Sequence, residues 1–177
     1  LLCVGLDPVE TNLPTGLDIE ARLTIWAEKL IEKTRDLVCC YKPNIAFFEQ
    51  FGLEGLSALQ KTLSMIPLDI PVILDAKRGD IGSTAEAYAS AVFDQWHADA
   101  VTLSPYLGKD SISPFLVRDG KTIFLLCHTS NPSAGQIQLH GKPALYQWIA
   151  QISQSWGSKE QIGYVVGATQ PEALGHV

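Results

Sequence analysis

Apolar residues fall in six short runs, at positions 1–6, 37–41, 72–74, 100–103, 122–127 and 163–168, and polar or charged side chains close each run. The runs are rich in Val, Ile, Leu and Cys and barely alternate, the mark of strands buried on both faces of a parallel sheet. Between them apolar positions recur at three- and four-residue steps: Ile19, Leu23, Trp26 and Leu30, then Tyr88, Val92 and Trp96, then Leu145, Trp148, Ile149 and Ile152. These stripes predict helices lying on a sheet. Residues 45–66 predict another helical stretch, interrupted around Gly52 to Gly55. Ser83-x-x-Glu86 and Thr169-x-x-Glu172 have capping-box spacing, and Pro171 suits the first turn of a last helix.

Strand and helix patterns thus alternate about six times, as in a succession of βαβ units. Two α/β architectures suit the order. One is an open doubly wound sheet, complete at 177 residues; the other is a (β/α)8 barrel, which typically needs about 250. The length suits one domain. The longest loop-like stretch, residues 129–143, carries Asn131-Pro132, Gly135 and Gly141-Lys142-Pro143. The chain opens inside an apolar run and closes just after a helix-start signal, so both ends read as cuts through a longer protein.

With 46% apolar and 18% charged residues, this is a globular composition and not a disordered one. A net charge of -6 argues against a nucleic-acid or anionic-membrane partner. No apolar run approaches the roughly 18 residues of a membrane span. Cys3, Cys39, Cys40 and Cys127 lie in or beside apolar runs without a C-x-x-C pair, so buried, reduced thiols of a cytoplasmic protein are expected. His97, His128, His140 and His176 show no metal-ligand spacing.

Candidate chemistry collects where the runs end. Asp7 closes the first, Lys42 the second, and Asp75 and Lys77 the third; Ser104-Pro105-Tyr106 follows the fourth and Thr129-Ser130-Asn131 the fifth. In a parallel sheet these are carboxyl ends of strands, the face on which both α/β architectures build active sites. Asp75 and Lys77, two apart, point to one side of a strand with only Ala76 between them. Asp80 lies beyond a glycine turn. The bland alternative is an ion-pair network that closes a barrel mouth. Asp75 and Asp80 are possible oxygen ligands, but Lys77 between them would repel a cation. No Gly-rich dinucleotide fingerprint, P-loop or nucleophile elbow is present.

The segment Asp75-x-Lys77-x-x-Asp80-Ile81, with Thr84 following, resembles the signature of the orotidine 5'-phosphate decarboxylases. Gly5-Leu6-Asp7-Pro8, Lys42-Pro43-Asn44 leading into Ala46-Phe47-Phe48-Glu49, Ser104-Pro105-Tyr106-Leu107-Gly108, Thr129-Ser130-Asn131-Pro132 and Val166-Gly167-Ala168-Thr169 resemble the bacterial subgroup of longer chains, in the expected order. The resemblance implies a (β/α)8 TIM barrel, with residues 1–177 a single barrel domain in fragment: strands one to six, without the last two. It also implies a phosphate-gripping arginine beyond Val177, since none of Arg22, Arg35, Arg78 and Arg118 stands in its place.

By the same resemblance Lys77 is the proton donor to C6 of the pyrimidine and Asp75 lies beside the substrate carboxylate. Lys42 holds Asp75 and contacts the ribose, with Asp7 also on the ribose side. Asp80 and Thr84 reach into the partner's site of a homodimer with shared active sites. Ile81 belongs to the same binding segment, and Ser130 hydrogen-bonds the pyrimidine. His128 departs from the pattern, which has lysine before Thr129-Ser130. The implied reaction converts orotidine 5'-phosphate to UMP in de novo pyrimidine synthesis, with no cofactor and no metal. Rival readings are the metal-dependent sugar-phosphate decarboxylases and synthases of the same superfamily, or a non-catalytic nucleotide-binding barrel. Ile81 and Thr84 favour orotidylate.

Overall fold

The computed structural model describes residues 1–177. Its chain clusters into two units, residues Leu1–Ala76 with Gln95–Asp99 and Lys77–Asp94 with Ala100–Val177. The division falls inside one strand, β3 (Ile73–Arg78).

In the first unit β1 (Cys3–Leu6) and β2 (Cys40–Pro43) run parallel, with Cys3 opposite Cys40 and Leu6 opposite Pro43. Parallel bridges Tyr41–Val72 and Asn44–Asp75 carry the pairing on from β2. Helix α1 (Ile19–Thr34) starts where the Asp18 side chain accepts a hydrogen bond from the Ala21 N–H at 2.8 Å. Its Leu23, Ala27 and Ile31, four residues apart, form the buried stripe. Leu6, Ile31, Tyr41, Ile66 and Val72 make one core, with Val4 and Trp26 packed against it. Fully burying such a side chain contributes about 1.5–3 kcal/mol.

The expected interrupted helix is two helices, α2 (Ala46–Glu49) and α3 (Gly52–Met65). A Cβ on Gly55 would come within 1.9 Å of the Phe48 carbonyl oxygen, so only glycine lets the two helices meet. An ion pair between Lys61 and Glu20 joins α3 to α1, and the hydrogen bond from Lys61 holds the Glu20 carboxyl below its ordinary range.

The second unit opens at Lys77, on the last residues of β3, and contains β4 (Ala100–Leu103), β5 (Thr122–His128) and β6 (Ile162–Val166). The order is β3-β4-β5-β6. Val101 lies opposite Ile123, and Leu125 opposite Tyr164, in parallel register. The helices are α4 (Gly82–Ser90), running on into a π-helical turn, α5 (Lys109–Leu116), α6 (Gly135–Gln138), α7 (Leu145–Ser153) and α8 (Pro171–Leu174). Cys127, Tyr146, Ala150 and Ala173 form a core under β5. Arg118 clamps α4 by bonding Glu86 at 2.9 Å and Asp94 at 3.1 Å; Asp94 foremost raises the guanidinium pKa.

Several local expectations shift. β2 begins at Cys40, leaving Leu37 68% exposed, and β3 continues through Asp75 and Lys77 to Arg78. Neither expected capping box forms. Helix α4 starts at Gly82 with Ile81 at its N-cap, which puts Ser83 inside the helix and leaves no side-chain cap, while Glu86 pairs with Arg118; α8 also lacks a side-chain cap but does carry Pro171 in its first turn. Cys127 is buried, and that burial pushes its thiol up to about 12. Cys3 and Cys39 are instead exposed. Val4, Leu6 and Tyr41 belong to the core that includes α1, so Cys3 and Cys40 alternate to the other face of their strands. No helix is long and apolar enough to cross a membrane.

Candidate active site

Within the first unit, β2 and β3 bring Lys42 and Asp75 together. The Lys42 ammonium donates to Asp75 Oδ2 at 3.1 Å. The Ile45 N–H donates to the Asp75 carbonyl at 3.2 Å, which sets the height of β3 against the end of β2. The Asp75 side chain is 9% exposed and that of Lys42 32% exposed, so the carboxylate is largely taken from water while the ammonium remains partly hydrated. A buried carboxylate is tolerable only with such a partner. Asp7 follows β1, and its Oδ1 is buried with no hydrogen-bond partner. A buried carboxylate oxygen without a donor is costly, and it marks a place where a polar ligand group would be welcome.

The second unit holds the rest. Lys77 is exposed and has a φ of 48°, one of two non-glycine residues of the chain in the left-handed region. Such a conformation costs about 1–3 kcal/mol and persists only where neighbours impose it. The Lys77 N–H donates to Thr102 Oγ1 at 3.0 Å, and the Ser104 N–H donates to the Arg78 carbonyl at 2.8 Å. The Arg78 guanidinium lies 5.1 Å from the centre of the Tyr88 ring. A Cβ on Gly79 would come to 3.2 Å from both Ser104 Cβ and its carbonyl oxygen, so the turn after β3 hugs the end of β4. Asp80 Oδ1 accepts from the Ile81 N–H at 2.8 Å. Ile81 precedes α4 in extended conformation and is 56% exposed; Thr84 is exposed on the first turn.

Ser130 lies exposed in the loop after β5, against Gly167, whose Cβ would fall 3.1 Å from Ser130 Cβ. Gln138 knits that loop: its Oε1 accepts from the Thr129 N–H and its Nε2 donates to Thr129 Oγ1, both at 2.8 Å. His128, 5% exposed, packs edge-on to Tyr146 with ring centres 4.9 Å apart, and its Nδ1 has no partner. The exception to the lysine pattern is therefore a buried ring and not a group in the loop.

Sequence reasoning missed Thr102, Gly79 and Gln138. Gln138 and Thr102 act on backbone groups through folding, and only Gly79 left a trace, as the glycine of the turn. Within neither unit is a group of three or more His, Cys, Asp and Glu side chains arranged to hold a metal ion.

A family model described as "Orotidine 5'-phosphate decarboxylase / HUMPS family" matches residues 1–177. An orotidine 5'-phosphate decarboxylase of Herpetosiphon aurantiacus is 49% identical over 98% of this chain and 67% of its own length. The bifunctional enzyme PyrF/PyrE of a Nostoc species is 46% identical over 100% of this chain, which spans 38% of it. Among solved structures, the OMP decarboxylase of Leishmania donovani superposes with a TM-score of 0.89 at 43% identity, over 98% of this chain and 68% of that one. The chain thus spans about two thirds of the length of the single-function relatives. Its parallel strands and intervening helices are those of a partial (β/α)8 barrel.

Proposed function

Because the chain belongs to the orotidine 5'-phosphate decarboxylase / HUMPS family, we propose that the protein it represents converts orotidine 5'-phosphate to UMP in pyrimidine biosynthesis. The observation that carries this reading is the Lys42–Asp75 pair two residues ahead of Lys77, inside a chain 49% identical to a relative of that name.

The chemistry asks little beyond these side chains. The bond from C6 to the carboxylate breaks and its electron pair stays on C6. The Lys77 ammonium stabilises that developing charge and then gives its proton to C6, leaving CO2 and the neutral amine. A cation fixed before the reaction spends no reorganisation when charge appears. Asp75, held by Lys42, stands beside the substrate carboxylate, where repulsion is relieved as CO2 departs. Lys42 and the unpartnered Asp7 Oδ1 receive the ribose hydroxyls. Ser130, on the loop that Gln138 braces, bonds the pyrimidine. Binding energy from the remote phosphate helps hold the strained geometry.

Asp80 and Thr84 serve the neighbouring site of a homodimer. Support comes from exposed apolar groups, Ile81 at 56% next to Asp80 in the chain and Tyr106 at 79% in the turn after β4, which a partner would cover. The four free thiols favour a reducing, cytoplasmic compartment. No step calls for a metal or cofactor.

The test is orotidine 5'-phosphate decarboxylation by the full-length protein with a chelator present. Turnover unaffected by chelator is expected. Turnover that chelator abolishes, or activity only on sugar phosphates, would move the protein to the metal-using branch of the family.

A further inference from the structure

We propose that Thr102 is the positioning residue that holds Lys77 in its left-handed conformation and so aims the ammonium. This inference rests on the proposed role of Lys77 as proton donor. Lys77 ends a strand, where an extended backbone is the default, yet its φ is 48°. A lysine gains nothing by itself from that region, because its Cβ crowds the neighbouring carbonyl oxygen. Something outside the residue has to select it.

The group that meets it is on β4. The Lys77 N–H donates to Thr102 Oγ1 at 3.0 Å, so at this point a side-chain oxygen receives the strand's donor. One residue on, β3 is held by a backbone acceptor, the Arg78 carbonyl taking the Ser104 N–H at 2.8 Å. The two bonds bracket the Lys77–Arg78 peptide, and at Gly79, where an added Cβ would fall 3.2 Å from Ser104, the turn runs close to the end of β4. Thr102 is 4% exposed, between Val101 and Leu103 at 0%. Water has little access there to replace the hydroxyl, so its loss leaves the Lys77 N–H without its acceptor. The threonine methyl and its strand neighbours fix where the hydroxyl sits, since a β-branched side chain is stiff at its first torsion. Reorienting the backbone of Lys77 would swing the far end of a long side chain by more than an ångström.

Two substitutions in the full-length protein separate the hydroxyl from the packing. Thr102→Val keeps the shape and removes the oxygen; Thr102→Ser keeps the oxygen and removes a methyl. Thr102→Val is expected to lower kcat by about 10- to 100-fold with KM nearly unchanged, the scale of a misplaced reacting group. Thr102→Ser is expected to stay within about threefold of wild type in kcat, even where its Tm falls. A crystal structure of Thr102→Val should show Lys77 at negative φ. Wild-type kcat in Thr102→Val, equal loss in both variants, or a positive φ retained at Lys77 in that crystal structure would overturn the proposal. Failure of the wild-type protein to decarboxylate orotidylate would remove the reaction assigned above, while the crystal structure still decides whether Thr102 holds Lys77.

Discussion

The Lys42 ammonium lies 3.1 Å from Asp75 Oδ2, across neighbouring strands whose register is tied by the Asn44–Asp75 bridge. The pair is asymmetric: the carboxylate is almost wholly buried and the ammonium is not. Lys42→Met should therefore harm the protein mainly through what it leaves behind, a carboxylate in a poorly solvated place with one donor fewer. A loss of about 1–3 kcal/mol is expected from urea denaturation of the full-length protein. kcat/KM should fall by about 100-fold or more as Asp75 loses its fixed position. Unchanged kcat/KM would remove Lys42 from the site.

Lys77→Ala should lose nearly all turnover, because no other cation is expected to take over the proton at C6. The measurement is kcat at saturating orotidine 5'-phosphate. Retention of a tenth of the wild-type rate would sink the assigned role.

Thr84→Ala tests the shared site. If Thr84 serves the partner's site as proposed, removing its hydroxyl should raise KM about 2- to 12-fold, the range of a single hydrogen bond, with kcat nearly constant. Sedimentation should find a dimer for both proteins. A monomeric wild type, or an unchanged KM, would argue against a site completed by a second copy.

Alkaline pH should destabilise the protein in a way that Cys127 accounts for. Burial lifts its thiol from 9.0 to about 12. Below pH 9 the thiol is protonated in both folded and unfolded chains and contributes no pH dependence. Between about 9 and 12 the unfolded chain releases a proton that the folded chain keeps, so the unfolding free energy falls as pH rises. The urea midpoint should drop over that range, and Cys127→Ala should drop less steeply, the remainder belonging to Cys40, whose thiol is likewise pushed up to about 12 by desolvation. Parallel curves for the two proteins would count against the assignment.

Much of the architecture was legible because the strands and most of the longer helices announce themselves locally; α5 left no apolar stripe, and α6 (Gly135–Gln138) lies inside the stretch expected to be a loop. Unalternating apolar runs marked the six strands, and the stripe through Leu23 marked the face α1 buries. What went unread depends on partners distant in sequence. Ser83 and Glu86 have the spacing of a capping box, yet the helix begins at Gly82, and Glu86 pairs with Arg118, 32 residues on. Cys3 reads as core because it sits in an apolar run, and only the side of β1 that joins the core decides that Val4 and Leu6 are inside and Cys3 is not. Of the candidate site, the acidic and basic side chains were readable as charges at strand ends. The groups that restrain them were not, since Thr102 and Gln138 are ordinary polar residues until the fold brings a backbone donor to them.

The sequence by itself determined the strands, their order, and the charged or polar residue types that follow most of them, because propensity, periodicity and spacing are properties of neighbours in the chain. The tertiary structure alone decided the buried unpartnered oxygen of Asp7 and the left-handed backbone of Lys77, and it set the burial and distance of the Lys42–Asp75 contact that the resemblance implied. Each depends on burial and on a hydrogen-bond partner, or the lack of one, on another element, and those quantities exist only once the strands have found their register.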